Sequence, residues 1–323
     1  MSFTLIKGQD KAIESLKADV RNKHLASTYL FCGPEGIGKF LAAKTFGRAL
    51  NCLNVNANFE PCDNCISCLK IRNGQHPDVH IIDNGYTSEI KIEGIRQLQQ
   101  EINLKPYEAR LKVFIINDAH NLNPVSANAF LKTLEEPPKD SLIILVSDKP
   151  GLLLRTIISR CRIIKFYALG RREIARVLKD DYNIDENTLH YLSYFSEGRL
   201  GTALRLKDKD IISEKNRIID SFTIGANSGL ENSIIQDRND LRNSLQILAG
   251  WFRDIYLIKA GIAHNELINL DRRDTLVRLM NRYTFGELDE ILNSISDSLL
   301  FLEQNVNVKL LLSNLMLSLK RDN

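Results

Sequence analysis

The chain has 323 residues, 44% hydrophobic and 26% charged, which is typical of globular proteins and excludes disordered, collagen-like and low-complexity classes. Forty-three Lys and Arg residues against 40 Asp and Glu residues give a net charge of +3, too small to indicate nucleic-acid binding by itself. The longest apolar stretch, Leu142–Val146, is far shorter than the ~20 residues that span a bilayer. We therefore expect a cytoplasmic protein with no membrane segment, whose six cysteines are reduced.

The two halves of the chain differ in their proline and cysteine content, since all eight prolines and all six cysteines precede residue 162. The first half holds short apolar runs bounded by Gly, Pro or Asp, which predict parallel strands buried on both faces. The second half has helical periodicity and predicts two closing amphipathic helices, with apolar positions between 288 and 302 and between 308 and 319. The sequence thus predicts an α/β domain followed by an all-helical part. The strand-like runs are Ser27–Cys32, Val79–Asp83, Lys112–Asn117 and Leu142–Ser147.

A phosphate-binding loop follows the first strand-like run. The segment Gly33-Pro-Glu-Gly-Ile-Gly-Lys39 has the G-x-x-x-x-G-K pattern and leads into a helical run, Leu41–Leu50. Gly33, Gly36 and Gly38 allow backbone N–H groups to surround a phosphate, and Lys39 adds a full positive charge. The Ser or Thr that should follow the lysine to hold Mg²⁺ is replaced by Phe40. The alternative is an ordinary glycine-rich turn between a strand and a helix.

Four cysteines form the second chemical pattern. Cys52, Cys62, Cys65 and Cys68 have the spacing C-x9-C-x2-C-x2-C, and a Cys-x2-Cys turn brings two sulfurs to one metal. Four thiolates close a tetrahedron around Zn²⁺ and leave no position for water, so we expect a structural zinc ion that stabilises residues 59–69. The alternative is four unrelated thiols.

Further along the chain, motifs occur in a familiar order. The sequence resembles the bacterial DNA polymerase III clamp-loader subunits of the AAA+ superfamily, from about Phe3 to Leu206. The resemblance implies a P-loop α/β domain over 1–166 with a zinc module at 52–68, a helical lid over 167–207 and a helical collar over 208–323. The motifs are the phosphate loop, the four cysteines, Lys112-Val-Phe-Ile-Ile-Asn-Asp-Ala-His120, Asn128-Ala-Phe-Leu-Lys-Thr-Leu-Glu-Glu-Pro-Pro138 and Ser159-Arg-Cys161.

The resemblance also implies partners. Five subunits of such a loader join through their collars into a ring, so we expect gamma/tau-type and delta-type clamp-loader subunits beside this chain. The ring acts on a sliding clamp and on primed DNA. The phosphate loop is a candidate weak site for ATP or ADP, through Gly33, Gly36, Gly38 and Lys39, and the sequence leaves open whether it binds nucleotide. Arg96, Lys105 and Arg110 are candidates for contact with DNA phosphates, although a solvated surface has the same pattern.

The positions that support hydrolysis in this family are altered here. Phe40 stands where Ser or Thr holds Mg²⁺, and Asn117-Asp118 stands where the family's ATPases carry Asp-Glu. The lid arginine that reaches the γ-phosphate in those subunits aligns with Gly201, while Arg199 is two residues away and should face elsewhere. These substitutions predict a subunit that does not hydrolyse ATP by itself.

Ser159-Arg160-Cys161 matches the motif whose arginine reaches the ATP of a neighbouring subunit. A degraded nucleotide site together with this intact motif resembles the delta-prime type of subunit, the stator of the clamp loader, with Arg160 as an arginine finger in trans. A surface arginine paired with a local carboxylate is the alternative for Arg160. For the whole chain, the alternatives are an active gamma/tau-type ATPase and a stand-alone, zinc-bearing, DNA-binding AAA+ adaptor.

Overall fold

The computed structural model describes residues 2–83, 89–208, 210–223, 238–262 and 266–303. The chain divides into two compact units. The first extends to Ile174 and includes Gly198–Thr202, and the second comprises Ala175–Glu197 and the residues from Ala203 onward. The three-part division into 1–166, 167–207 and 208–323 stays a prediction.

A five-stranded parallel sheet forms the centre of the first unit, with the spatial order β2-β3-β4-β1-β5. The four strand-like runs are confirmed as strands to within one residue at each end, and β5 is a strand that they did not predict. Every residue of β1, β3 and β4 is buried, as expected of strands covered on both faces. The strands are β1 Thr28–Cys32, β2 Val79–Ile82, β3 Lys112–Ile116, β4 Ser141–Ser147 and β5 Arg162–Lys165.

Helices cover both faces of this sheet. Alternate residues of β1 point to opposite sides, so Phe31 joins the apolar cluster under the first two helices, while Leu30 joins the cluster under the helices at 92–102 and 124–135. Helix α5 begins where Asn123 accepts a 2.8 Å hydrogen bond from the Ser126 amide, with Pro124 in the first turn. The helices are α1 Asp10–Arg21, α2 Lys39–Leu50, α3 Ile66–Arg72, α4 Ile92–Ile102, α5 Pro124–Glu135 and α6 Arg155–Ile158.

The parallel strands end at a common edge of the sheet, and this places the polar segments that follow them. The phosphate loop follows β1, Asp83 follows β2, Asn117 and Asp118 follow β3, and Asp148 follows β4. In open α/β sheets, the carboxyl edge of the strands is where ligands bind. The opposite edge holds the end of α2, from which the four-cysteine segment continues.

The second unit is helical. Its core surrounds Trp251, which is 1% exposed, and the predicted apolar stripe of α13 is confirmed because Leu288, Ile291, Ile295 and Leu302 are buried there. The predicted helix over 308–319 lies outside the described residues. Among the residues that the structure describes, the helices from residue 171 onward are α7 Arg171–Tyr182, α8 Glu186–Phe195, α9 Leu200–Lys207, α10 Ile211–Thr223, α11 Arg238–Lys259, α12 Arg273–Leu279 and α13 Phe285–Glu303.

Within the described ranges, the structure contains no helix with the length and apolar character needed to cross a membrane.

Candidate nucleotide and metal sites

The phosphate loop has the backbone geometry that its glycines predict. Gly33, Gly36 and Gly38 have φ values of +147°, +75° and +95°, which side-chain-bearing residues rarely adopt. Lys39 is the first residue of α2, and its Nζ donates hydrogen bonds to the carbonyl oxygens of Gly33 at 2.7 Å and Pro34 at 2.6 Å. Burial lowers the pKa of Lys39, while the carboxylates of Asp148 and Asp118 act in the opposite direction. The loop therefore carries an ammonium group that is already bonded to its own backbone.

Phe40 is a packing residue. Its ring is half-buried against the apolar cluster that contains Phe31 and Phe46, and the Lys44 ammonium lies 5.3 Å from the ring centroid. A phenyl ring offers no oxygen to a metal ion. The position that would supply a hydroxyl ligand for Mg²⁺ thus contributes to the core around α2.

Asn117 and Asp118 follow β3 as predicted. The Asn117 amide donates to Asp83 Oδ1 at 3.3 Å and to Asp118 Oδ2 at 3.2 Å, so it joins two carboxylates. Asp118 adopts a left-handed conformation with φ of +47°. Burial raises the pKa of Asp118, and the nearby carboxylates of Asp148 and Asp83 raise it further.

Gly201 lies directly on the phosphate loop. Its N–H donates a 2.7 Å hydrogen bond to the carbonyl oxygen of Gly36, and a Cβ atom at residue 201 would lie only 2.8 Å from that oxygen. A Cβ at Gly36 would in turn lie 2.8 Å from Thr202 Oγ1. The close approach of two backbones explains why residue 201 is a glycine, because any side chain would push the two segments apart.

Two further side chains at this edge were not assigned a role from the sequence. His120 Nδ1 lies 3.2 Å from Asp148 Oδ1 and 3.3 Å from Ser147 Oγ. The possible ligand atoms of Asp118, His120 and Asp148 all lie within 4.8 Å of one another. The only available signal was positional, since each residue comes just after a strand of the parallel sheet.

The four cysteines form one cluster. The sulfurs of Cys52, Cys62, Cys65 and Cys68 all lie within 4.8 Å of one another, and Cys52 and Cys68 are fully buried. Backbone amides donate hydrogen bonds to three of the sulfurs. The Cys62 amide donates to Cys52 Sγ at 3.3 Å, the Cys65 amide to Cys62 Sγ at 3.4 Å and the Cys68 amide to Cys65 Sγ at 3.4 Å. The N–H of Asn64 contributes most to lowering the pKa of Cys62, which falls to about 6. The predicted grouping of the four thiols is thus present in the fold.

Ion pairs connect the cysteine segment to the rest of the first unit. Asp63, between the second and third cysteines, pairs at 2.9 Å with Arg48, whose side chain is only 2% exposed in the last turn of α2. Glu60 accepts hydrogen bonds from the Phe3 amide at 2.9 Å and from Lys17 Nζ at 3.1 Å. Because Arg48 is buried, removing its partner would leave a charge without compensation, which is strongly destabilising.

Comparison with known proteins agrees with this fold and these motifs. Residues 8–170 match the family described as DNA polymerase III, delta subunit, and residues 226–321 match the family described as DNA polymerase III, delta subunit, C terminal. The chain belongs to the DNA polymerase III delta-subunit family. The resemblance to AAA+ clamp-loader subunits that the sequence predicts is therefore confirmed.

Individual members of the DNA polymerase III clamp-loader group are similar to different extents. The Bacillus subtilis DNA polymerase III subunit delta' is 28% identical over 97% of this chain and 96% of its own length. The Bacillus subtilis subunit tau is 30% identical over 80% of this chain, and the chain spans only half of that protein. A gamma-subunit-related protein from Thermotoga maritima has the same fold, with a TM-score of 0.50, 18% identity and coverage of 95% of this chain and 98% of its own.

Arg160 lies at the surface of this delta-family chain, just after α6. Its guanidinium donates to Glu135 Oε1 at 2.7 Å and to the Thr156 carbonyl oxygen at 2.9 Å. The Arg160 side chain is 34% exposed and the Glu135 side chain 51% exposed. The local carboxylate partner considered for this arginine is therefore present, and its role toward a neighbouring subunit stays a prediction.

The candidate DNA-contacting residues occupy neighbouring parts of the first unit. Arg96 lies on α4, and Lys105 and Arg110 lie in the loop between α4 and β3, all exposed. Asp78, which is fully buried, holds this loop by accepting 2.8 Å hydrogen bonds from the amides of Tyr107, Glu108 and Ala109. The loop thus presents its two basic side chains from a fixed backbone.

Proposed function

We propose that this chain is a delta-prime-type stator subunit of a bacterial DNA polymerase III clamp loader. It joins gamma/tau-type and delta-type subunits in a five-membered ring, helps to load the sliding clamp on primed DNA and donates Arg160 to the ATP of a neighbour. The full-length similarity to a delta' subunit supports this assignment over the tau type, of which the chain spans only half.

The observation that carries the proposal is the packing at the chain's own nucleotide site. Phe40 packs half-buried against the core and Gly201 is bonded to Gly36, so the positions expected to hold Mg²⁺ and the γ-phosphate serve structural purposes. Asn117 adds a neutral amide where the related ATPases carry a carboxylate. Phosphoryl transfer needs a bound metal ion and stabilisation of charge on the γ-phosphate, and these residues supply neither. The phosphate loop can still bind a nucleotide through its amides and Lys39.

The setting of Arg160 suits a role in trans. An exposed ion pair such as that between Arg160 and Glu135 is worth only about 0–1 kcal/mol. Exchange of this carboxylate for the more highly charged γ-phosphate of a neighbour would therefore cost little. In this structure Glu135 Oε1 accepts a 2.7 Å hydrogen bond from the guanidinium at the surface.

The proposed role of the four-cysteine cluster is to bind zinc as a structural ion. The four clustered sulfurs fit a tetrahedral Zn²⁺ site, and the amide-to-sulfur hydrogen bonds favour the thiolate forms that bind the metal. Cys65 also caps the N-terminus of α3, where its sulfur accepts the Cys68 amide. Bound zinc would thereby fix both the cysteine segment and the helix that follows it.

The deciding experiment is the ATPase activity and clamp-loading rate of a reconstituted loader carrying Arg160→Ala in this subunit alone. We expect normal assembly with a lower DNA- and clamp-stimulated ATPase rate, because one interface loses its arginine. Arg160→Lys should not restore the rate, since an ammonium group lacks the planar fork of the guanidinium. Arg155→Ala is the matched control, since Arg155 is an exposed arginine at the start of α6, the short helix that precedes Arg160. Full activity of the Arg160→Ala loader would exclude the finger role.

A further inference from the structure

A second group of metal-ligating side chains lies outside the cysteine cluster, at the carboxyl edge of the sheet. Asp118 is the second residue after β3, and His120 lies in the short 3-10 turn Ala119–Asn121 that comes next. Asp148 directly follows β4. β3 and β4 are paired in parallel register, with Ile116 opposite Leu145, so both segments leave the sheet side by side. The fold therefore brings two carboxylates and one imidazole to one place.

The spacing of the three groups fits a single metal ion. Ligand atoms about 2.1–2.3 Å from one ion lie roughly 3–4.5 Å from each other, depending on the angle at the metal. The 3.2 Å between His120 Nδ1 and Asp148 Oδ1 is within that range, and the atoms of all three residues lie within 4.8 Å of one another.

One oxygen in this group lacks a hydrogen-bond donor. Asp148 Oδ1 is buried and, among the residues that the structure describes, none donates a hydrogen bond to it. His120 Nδ1 lies 3.2 Å from it without forming a hydrogen bond, and a neutral imidazole that presents its lone pair there would leave two acceptors facing each other. A buried acceptor without a donor costs free energy, and a cation between the two atoms would remove that cost.

The local charge also favours a cation. The carboxylates of Asp83, Asp118 and Asp148 lie close enough to interact electrostatically, and Lys39 is a positively charged side chain near them. Like charges at this distance destabilise one another unless a positive ion is shared between them.

We propose that Asp118, His120 and Asp148 bind one divalent transition-metal ion in the absence of nucleotide. The mixed oxygen and nitrogen ligands distinguish this site from the cysteine cluster, since thiolates select zinc whereas carboxylates accept Mn²⁺. The ion would bridge the segments that follow β3 and β4 and fix the end of the sheet beside the phosphate loop. This inference does not depend on the proposed role of the chain in a clamp loader.

The test uses the zinc-loaded full chain without nucleotide, titrated with Mn²⁺ and followed by the electron paramagnetic resonance signal of the free ion. We expect one Mn²⁺ bound per chain, and an affinity at least about tenfold lower for His120→Ala and for the isosteric Asp148→Asn. Glu108→Gln is the matched control, because Glu108 lies 3.6 Å from another histidine, His76, away from this edge. The control should bind Mn²⁺ like the unmodified chain.

Three outcomes would overturn the proposal. They are the lack of Mn²⁺ binding, binding that appears only when ATP is added, and binding that His120→Ala and Asp148→Asn leave unchanged. Circular dichroism of each variant verifies folding, and Asp118→Asn supplies an independent isosteric variant if either of the others fails to fold.

Discussion

The backbone N–H of Gly201 donates a hydrogen bond to the carbonyl oxygen of Gly36, 2.7 Å away. The first turn of α9 is thereby attached to the phosphate loop by main-chain atoms alone. In the ATPases that this chain resembles, the corresponding lid position carries an arginine for the γ-phosphate. Here the contact is made within the chain and involves no phosphate.

The Gly201 contact predicts an unusual response to substitution within a helix. Gly201→Ala would place a Cβ 2.8 Å from the Gly36 oxygen, so we expect the free energy of unfolding to fall by about 1–3 kcal/mol, as for other overpacked sites. Gly94→Ala is the control, because Gly94 is also near the start of a helix and has open space around its Cα. That variant should be more stable by up to about 1 kcal/mol. Urea denaturation of both variants measures the difference, and equal effects would contradict the contact.

A second prediction concerns ATP turnover by the isolated chain. We expect no phosphate release above background with ATP and Mg²⁺, because Phe40, Asn117 and Gly201 do not provide the groups that hydrolysis needs. Binding of ADP should be weak and should weaken further in Lys39→Ala, as measured by calorimetry, since the ammonium contributes charge at the loop. Turnover that Lys39→Ala abolishes would instead indicate an active ATPase.

A third prediction concerns the metal. Elemental analysis of the purified chain should find one zinc ion, and Cys65→Ser should remove it. Hydrogen exchange should then accelerate in residues 59–69, because the metal no longer holds the four cysteines together, while exchange in β3 stays slow. Cys161→Ser provides the control, since Cys161 packs in the core beside the sheet and should leave the zinc content unchanged. A chain isolated without zinc, or zinc loss in Cys161→Ser, would refute the assignment.

A fourth prediction follows from Asp78 and its three amide partners. Burial raises the pKa of Asp78, but the N–H groups of Glu108, Tyr107 and Ala109 outweigh it and lower the pKa overall. The pKa is thus lower in the folded than in the unfolded chain, so the stabilisation is present above about pH 4 and is lost as the pH falls through the folded value.

Asp78→Asn should therefore lower the free energy of unfolding by about 2 kcal/mol at pH 7, the magnitude of a charged hydrogen bond. The difference from the unmodified chain should shrink below pH 4, and urea titrations across this pH range measure it. Asp140→Asn, at an exposed aspartate before β4, should have little effect at any pH. A difference that is constant between pH 7 and pH 3 would show that the carboxylate charge is not involved.

The sequence predicted four of the five strands because β1, β3 and β4 are fully buried and β2 is partly buried, so each is a mostly apolar run. β5 escaped prediction because it lies at the edge of the sheet and only Ile164 is buried, while Arg162 and Lys165 begin and end it. A four-residue run with charged ends has the same composition as a surface loop. Its strand character comes from pairing with β1, which depends on the rest of the sheet.

The candidate sites also differ in how far the sequence alone could predict them. The phosphate loop and the cysteine cluster are local patterns, so spacing alone predicted both. The contact between His120 and Asp148 joins residues that are far apart in sequence and meet only when β3 and β4 pair in register. Likewise, the family resemblance predicted that Gly201 stands in place of the lid arginine, whereas its packing against Gly36 required the structure.

Helix α2 sets the distance between two chemically different ends of the first unit. Its 12 residues begin at Lys39 and end at Leu50, two positions before Cys52, so it is a rod about 18 Å long at 1.5 Å per residue. A metal ion at the cysteines is thus too far from a phosphate at the loop to act on it directly. Any effect of zinc on nucleotide affinity would therefore have to be transmitted along this helix. The change in nucleotide affinity when zinc is removed would then measure how rigidly α2 connects the two sites.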